Sequence, residues 1–274
     1  MAWHGHLHLH YTLADGRTVA HDRHHGPLRV LQRLYPEGPA VCHHVLVHPP
    51  GGIVGGDRLE IDARLGPGTH ALLTTPGATR FYRSDGPLAE QRVSAHVAAG
   101  ARLEWLPLET IAYPGCRAEN RLCFELAPGA AMIGWDLLAL GLPAAGEAFG
   151  RGELLQHLEL PGAWLERGRV RGDDALLLDS PLGWGGRSVL GTLWFARGEA
   201  LPAAERDRLL DDARAALDAA GADAGATAPH DRLVVLRALA ERVEPALQLL
   251  QAVRAAWRAA AWGLAAEPPR IWRT

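Results

Sequence analysis

The chain has 274 residues, 48% of them apolar and 22% charged, so it can bury a sizeable core and is not a disordered polymer. Its 28 basic side chains against 31 acidic ones leave a formal charge of −3, which argues against a nucleic-acid binder. All the basic side chains are arginine; the absence of lysine removes the P-loop phosphate clamp, the protein-kinase lysine and every Schiff-base mechanism. All-β chains often reach this length as one unit, so residues 1–274 are read as a single domain.

In chain order, the first segment alternates histidine with other residues through His10, which is the period of a strand. Further strands are predicted over His43–His48, Leu59–Leu65, His70–Thr75, Gln91–Ala98, Arg102–Leu106, Arg121–Leu126 and Ala131–Ala139. More are predicted over Leu154–Leu160, Trp164–Arg171, Ala175–Asp179 and Arg187–Ala196. Gly68, Gly100, Gly129, Gly162 and Gly191 each open an apolar run, at spacings of 32, 29, 33 and 29 residues. Such near-periodicity predicts stacked β-layers sharing one long core, with a β-sandwich as the other reading. The period then changes. A helix is predicted over 202–220, from Pro202 to the stop at Gly221, followed by a small-residue loop over Gly221–Pro229. One more strand is expected at Leu233–Leu236 and a second helix over Pro245–Trp262. The fold class is therefore mainly β, as stacked β-layers (helix-like or sandwich-like), with two C-terminal α-helices. The apolar stripe of the second helix, carrying Trp257 and Trp262, is expected to be covered by a partner.

Cys42, Cys116 and Cys123 are an odd set with no CxxC pair, which is not a disulfide framework. The start, Met1–Tyr11, does not read as a signal peptide, and no apolar run is long enough for a membrane span, so a cytoplasmic location is expected.

Ten of the fourteen histidines lie in the first 48 residues. His4, His6, His8 and His10 would share one strand face, where neutral imidazoles suit nickel, zinc or copper; the plainer reading is an exposed polar face. Cys42, His43, His44 and His48 offer more donors, but neighbours on a strand point opposite ways, so His43 and His44 would not face one ion. The glycine-rich stretch His48–Asp57 is followed by a strand, not a helix, so it fails as a dinucleotide loop, and Asp57 at its exit could simply accept local amides. Asp57, Glu104, Glu109, Asp136, Glu147 and Glu166 are candidate acids, yet no spacing pairs them for acid–base work. On chemistry alone the chain reads as a binding or scaffold protein.

Five stretches in order resemble motifs of the urease accessory protein UreD family, called UreH in some bacteria: His48–Asp57, Leu73–Ser84, Leu103–Ile111, Trp135-Asp136 and Gly141–Gly150. The resemblance runs from Gly26-Pro27-Leu28 to Pro269-Arg270-Ile271-Trp272. Its motif residues here are Gly51, Gly52, Gly55, Gly56, Pro76, Gly77, Arg80, Tyr82, Arg83, Ser84, Trp105, Glu109, Gly146 and Glu147. Two positions depart from the family pattern: Arg80 replaces a usual lysine, and the usual Gly-Arg-Pro reads Gly141-Leu142-Pro143.

The resemblance implies β-rich stacked layers with a helix pair. It implies a chaperone or scaffold rather than an enzyme, complexed with UreF and the GTPase UreG on urease apoprotein (subunits UreA, UreB and UreC). In that role it assists nickel insertion and lysine carbamylation, with no tightly bound cofactor and nickel only in transit. It also suggests an internal channel for nickel or carbon dioxide species. Asp57, Asp136 and Glu166 lie beside family motifs and could be its weak, water-mediated ligands; as plain structure, each caps a turn or pairs with an arginine such as Arg58, Arg167 or Arg169. Competing functions are a stand-alone metal-storage or sensing protein, resting on the histidines, and a β-helical hydrolase using two carboxylates.

Overall fold

Alternation of apolar and polar side chains, interrupted by glycine turns, shapes nearly the whole chain. A computed structural model describes residues 2–273. The first strands are β1 (His4–Ala14), β2 (Arg17–His25), β3 (Arg29–Leu34), β4 (Val41–Val47), β5 (Arg58–Leu65), β6 (His70–Thr74) and β7 (Thr79–Phe81). Next come β8 (Ala89–Val97), β9 (Arg102–Leu106), β10 (Thr110–Ala112), β11 (Arg117–Leu126), β12 (Ala131–Leu140), β13 (Glu153–Leu160) and β14 (Trp164–Arg171). The rest is α1 (Ala175–Leu178), β15 (Val189–Arg197), α2 (Ala203–Ala220), β16 (Asp223–His230), β17 (Leu233–Ala240) and α3 (Val243–Trp262).

The strands form two sheets facing each other. The first has the order β14-β13-β11-β8-β5-β1-β2, the second β16-β17-β15-β12-β9-β6-β4-β3, with the short β7 and β10 joined to the second beside β12. From β4 to β13 the chain alternates between sheets, so sequential strands within each sheet are parallel neighbours. These are stacked coils of a two-sheet β-solenoid.

The glycine spacing records this for three turns only. Gly68, Gly100 and Gly129 all have positive φ and lie at equivalent corners; Gly68 N donates to Ala99 O at 3.3 Å, and Gly100 N to Gly129 O at 3.0 Å. Gly162 instead turns the antiparallel hairpin β13–β14, and Gly191 lies inside β15 opposite Leu137. A hairpin and a coil both need a turn after a strand of similar length, so spacing alone does not distinguish them.

Other expectations need correction. Ala175–Asp179 is not a strand: the Asp174 side chain accepts the Leu177 amide at 3.0 Å and caps the short helix α1. The expected loop Gly221–Pro229 contains most of β16, an edge strand whose alanines at 222, 224, 226 and 228 pack in the apolar layer under the helices. Small side chains suit that strand because α2 lies close over it, and Pro229 sits at its bulge, where no ladder hydrogen bond is needed. Strands β2, β3, β7, β10 and β16 carry patterns too short or too polar to have been read.

Two cores result. One lies between the sheets; the other lies between the second sheet and the helix pair α2–α3. The stripe with Trp257 and Trp262 faces this second core and is buried within the chain, so it is not a surface awaiting a partner. Trp257 Nε1 donates to the Leu209 carbonyl at 2.7 Å, locking α3 to α2.

Candidate functional site

Strand phase decides which side chains enter the space between the sheets. In β12, Met132, Leu138 and Leu140 face the first sheet, while Ile133, Trp135 and Leu137 face the helices. Asp136 has the first phase and so projects into the inter-sheet core. Opposite it, Gln91 on β8, Asn120 on β11 and Gln156 on β13 occupy the same register level of the first sheet. On the second sheet Asp136, Thr192 and Arg237 are likewise in register across β12, β15 and β17. A row of polar side chains therefore crosses an otherwise apolar interior.

The row is hydrogen-bonded. Gln91 Nε2 donates to Asn120 Oδ1 at 3.1 Å, and Asn120 Nδ2 to Asp136 Oδ1 at 3.3 Å. Gln156 Nε2 donates to Asp136 Oδ2 at 2.6 Å. Desolvation by burial, followed by the charge of Glu166, pushes the Asp136 carboxyl up to about 7, although the Asn120 hydrogen bond opposes this. Glu166 closes the row at the sheet edge and is paired with Arg237. Among the described residues, several buried polar atoms with inward phase have no hydrogen-bond partner: Trp105 Nε1, Trp194 Nε1, Gln156 Oε1 and His44 Nε2. Buried polar atoms of this kind are ordinarily satisfied by water or an ion.

Two neighbouring cavities lie on this side of Asp136, and the inner one touches it. The outer one, about 220 Å³, is walled by His48, Gly51, Gly52, Pro76, Gly77 and Arg80. The inner one, about 20 Å³, touches Trp105, Asn120 and Asp136. Both share Leu46, Ile61, Thr75, Thr79 and Gln91 as walls. Five of the motif residues, Gly51, Gly52, Pro76, Gly77 and Arg80, thus line the outer cavity, and Trp105 lines the inner one.

The entrance is built by two loops packed on each other. Ile53 N donates to the Arg80 carbonyl at 2.7 Å, and Tyr82 N to the Ile53 carbonyl at 2.9 Å. A Cβ on Gly52 would lie 2.1 Å from the Tyr82 ring, and one on Gly55 would lie 2.0 Å from Ser84 Oγ. Those two glycines let the loops touch. Gly51 and Gly56 take positive φ at the turns of the same loop. Tyr82 stacks edge-on against Tyr113 with centroids 4.8 Å apart, and Ser84 Oγ donates to the Pro87 carbonyl at 2.5 Å.

The other expected residues have separate places. Asp57 is buried and accepts the amides of Trp3 at 2.8 Å and Val54 at 3.1 Å, so it fastens the N-terminal segment to the glycine loop. The polar row joins Asp136 and Glu166 electrostatically, whereas Asp57 accepts those amides and its charge acts on His48 at the outer cavity. Arg83 is exposed and paired with Asp85. The Glu109 carbonyl accepts the Thr79 amide at 2.9 Å. Gly146 ends a short 3₁₀ turn at positive φ, and Glu147 is exposed on that surface loop, its backbone paired with Leu142.

Glu104 is buried in an ion cluster on the helix side. His43 and His44 face opposite sides, as strand phase requires: His43 Nε2 pairs with Glu37 at 2.7 Å, His44 Nδ1 with the Tyr11 hydroxyl at 2.8 Å. His4, His6, His8 and His10 share the outer face of β1, since Gly5, Leu7, Leu9 and Tyr11 are the buried phase.

Gln91, Asn120, Gln156, Thr192 and Arg237 were not singled out from sequence. The signal was there: Gln91 is in phase with Val93 and Ala95, Asn120 with Leu122 and Phe124, Gln156 with Leu154 and Leu158. Each is a polar residue on the apolar face of its strand, where it needs a buried partner.

Chemically, the arrangement is a β-solenoid whose interior holds one weakly acidic carboxyl in an amide cradle behind a glycine-built entrance. It suits passage or transient binding of a small polar species. Over residues 4–273 the chain matches the family described as UreD urease accessory protein, and it belongs to that family. It is 67% identical over 278 residues to the urease accessory protein UreD of Leptothrix cholodnii, covering all of both chains. It is 59% identical over 276 residues to that of Variovorax paradoxus, again over all of both chains. Against the UreD of Verminephrobacter eiseniae the identity is 58% over 274 residues, 99% of each chain. A role in urease maturation follows from this membership. Among the described residues no helix is long and apolar enough to cross a membrane.

Proposed function

We infer that the chain is a non-catalytic scaffold that conducts nickel, and with it carbon dioxide species, toward urease apoprotein. The observation that carries this is the polar row centred on Asp136, hydrogen-bonded to Asn120 and Gln156 and bordered by an inner cavity that shares five wall residues with the outer one under the glycine loop. A relay needs ligands that bind weakly and release. Asp136 fits, because a carboxyl raised to about 7 is only partly ionised near neutrality and gains from a passing cation. The inner cavity holds roughly one water, so a hydrated ion would exchange part of its shell for Asp136 oxygens and the orphan polar atoms. Glu166, freed from Arg237, would be the next carboxylate outward. Asp57 holds the entrance loop in shape.

In this reading the chain works with UreF and the GTPase UreG, docked on an apoprotein of UreA, UreB and UreC subunits in the cytoplasm. It keeps no cofactor of its own; nickel is cargo. The test is co-expression of urease and its accessory proteins with this chain, without it, and with Asp136→Asn or Asp136→Leu. Asp136→Leu should keep the complex pulled down intact while urease nickel content falls at least about tenfold, since neither oxygen donor remains. Full nickel loading with Asp136→Leu would end this reading.

A further inference from the structure

We propose that the outer face of the first sheet carries a metal site separate from the interior passage, in which His6, His8 and Asp62 bind one divalent transition-metal ion. Strands β1 and β5 run in parallel, with His6 beside Glu60 and His8 beside Asp62. Leu7 and Leu9 are buried, so both imidazoles project outward onto the same patch. The Asp62 carboxylate reaches between them: Oδ2 is 2.5 Å from His6 Nε2 and 3.7 Å from His8 Nδ1. The two rings lie with centroids 3.8 Å apart, and one donor atom from each of the three residues falls within 4.8 Å of the others. Small rotamer shifts would bring these atoms to the roughly 2.0–2.2 Å ligand distances of zinc-type ions.

The carboxylate is already oriented. Ser94 on β8 donates to Oδ1, leaving Oδ2 for the ion, which is how an outer hydrogen bond aims a ligand. Two imidazoles and a carboxylate on one side of an ion leave its other positions to water, a donor set suited to nickel, cobalt, zinc or iron(II).

The site also has ends, which narrows the four-histidine strip to three residues. His4 Nε2 is taken by Glu60 at 2.7 Å, and Glu60 is itself paired with Arg58. His10 has Arg64 rather than a carboxylate as its β5 neighbour, and on the β2 flank His25, Arg23 and His21 stand beside His6, His8 and His10 in turn.

Titrate the purified full-length chain with cobalt(II), followed by its visible ligand-field bands, and with nickel(II) by calorimetry near pH 7.5. One equivalent should bind. His6→Ala, His8→Ala and Asp62→Asn should each weaken binding at least about tenfold. His4→Ala and His10→Ala should change it less than about twofold, and unchanged circular dichroism and melting would show that each surface variant folds. Asp136→Asn should bind this equivalent as the parent does, so failure here and failure of the interior reading are distinguishable. Equal losses in all four histidine variants would show an unspecific strip, and an Asp62→Asn variant with parental affinity would remove the carboxylate; either overturns the proposal.

Discussion

Arg254 reaches from α3 into the second sheet and donates from both Nε and Nη2 to one carboxylate oxygen of Glu104, at 2.8 and 2.6 Å, across 150 residues of sequence. Arg258, one helical turn on, lies 3.1 Å from the other Glu104 oxygen and 2.6 Å from Glu37. His70 Nε2 meets Glu104 at 2.9 Å. Desolvation, partly offset by its hydrogen bond to Glu104, lowers the His70 pKa and favours the neutral ring. Two arginines thus face two glutamates, and the buried charge balances. The cluster seats the helix pair at one register on the sheet, which apolar packing alone specifies less tightly.

Removing one partner from such a cluster strands a buried charge. Glu104→Gln should destabilise the chain by about 3–5 kcal/mol, the usual cost of orphaning a buried ion. The double variant Glu104→Leu/Arg254→Leu should lose less than the sum of the singles, because Arg258 keeps Glu37. Chemical denaturation in a complete mutant cycle reads this directly; strict additivity would show that the two side chains are not coupled.

Two buried carboxyls should give stability opposite pH dependences. Burial opposes ionisation of Glu104, but Arg254, His70 and Arg258 hold it down to about 2. Its folded value is depressed, so its contribution is present above its ordinary pKa of about 4.3 and is lost as pH falls toward 2. Asp136 is raised to about 7. Here the folded state holds the proton more tightly than the unfolded state, so stability falls as pH rises from about 4 to 7. The penalty is fully present above about pH 7. Asp136→Asn removes it. The variant should melt higher than the parent at about pH 8 and lose that advantage near pH 4; a pH-independent difference in Tm would refute the assignment.

The loop contact at the entrance can be tested through a glycine. Gly52→Ala puts a methyl 2.1 Å from the Tyr82 ring, and Tyr82 is already packed against Tyr113. Overpacking should cost about 1–3 kcal/mol. In a Tyr82→Ala background the obstacle is gone, and the same change should become neutral or slightly stabilising, because alanine restricts the unfolded chain more than glycine does. If Gly52→Ala costs as much without the ring, the close approach is not what requires glycine there.

Period-two patterning made the central solenoid strands legible, because each of β5, β8, β11 and β13 buries one face against a single core. The entrance was legible through its glycines, and the helix pair through its caps. Four things were not. Asp174 capping α1 is a local contact hidden by the apolar run that follows it, and the alanine edge strand β16 depends on α2 lying over it, which local pattern does not record. Gln91, Asn120 and Gln156 are far apart in sequence and become one row only when the coil register is known. The fate of Glu104 was hidden for the same reason, since its partners come from α3.

The N-terminal histidines should be dispensable for urease maturation even though three residues of that face form a metal site. Their strand presents them on the outer surface of the first sheet, while Leu7, Leu9 and Tyr11 of the same strand face the interior. An ion held by His6, His8 and Asp62 is therefore separated from Asp136 by the thickness of a sheet and its apolar lining. A surface triad also retains its ion, whereas a relay must release it. Replacing His4, His6, His8 and His10 together by alanine should abolish the cobalt equivalent of the isolated chain. In cells at limiting nickel, urease activity should change by less than about twofold, against the tenfold or larger ligand effect expected at Asp136. A collapse of activity that added nickel restores would mean that ions enter through this face, and the separation of the two sites would then be wrong.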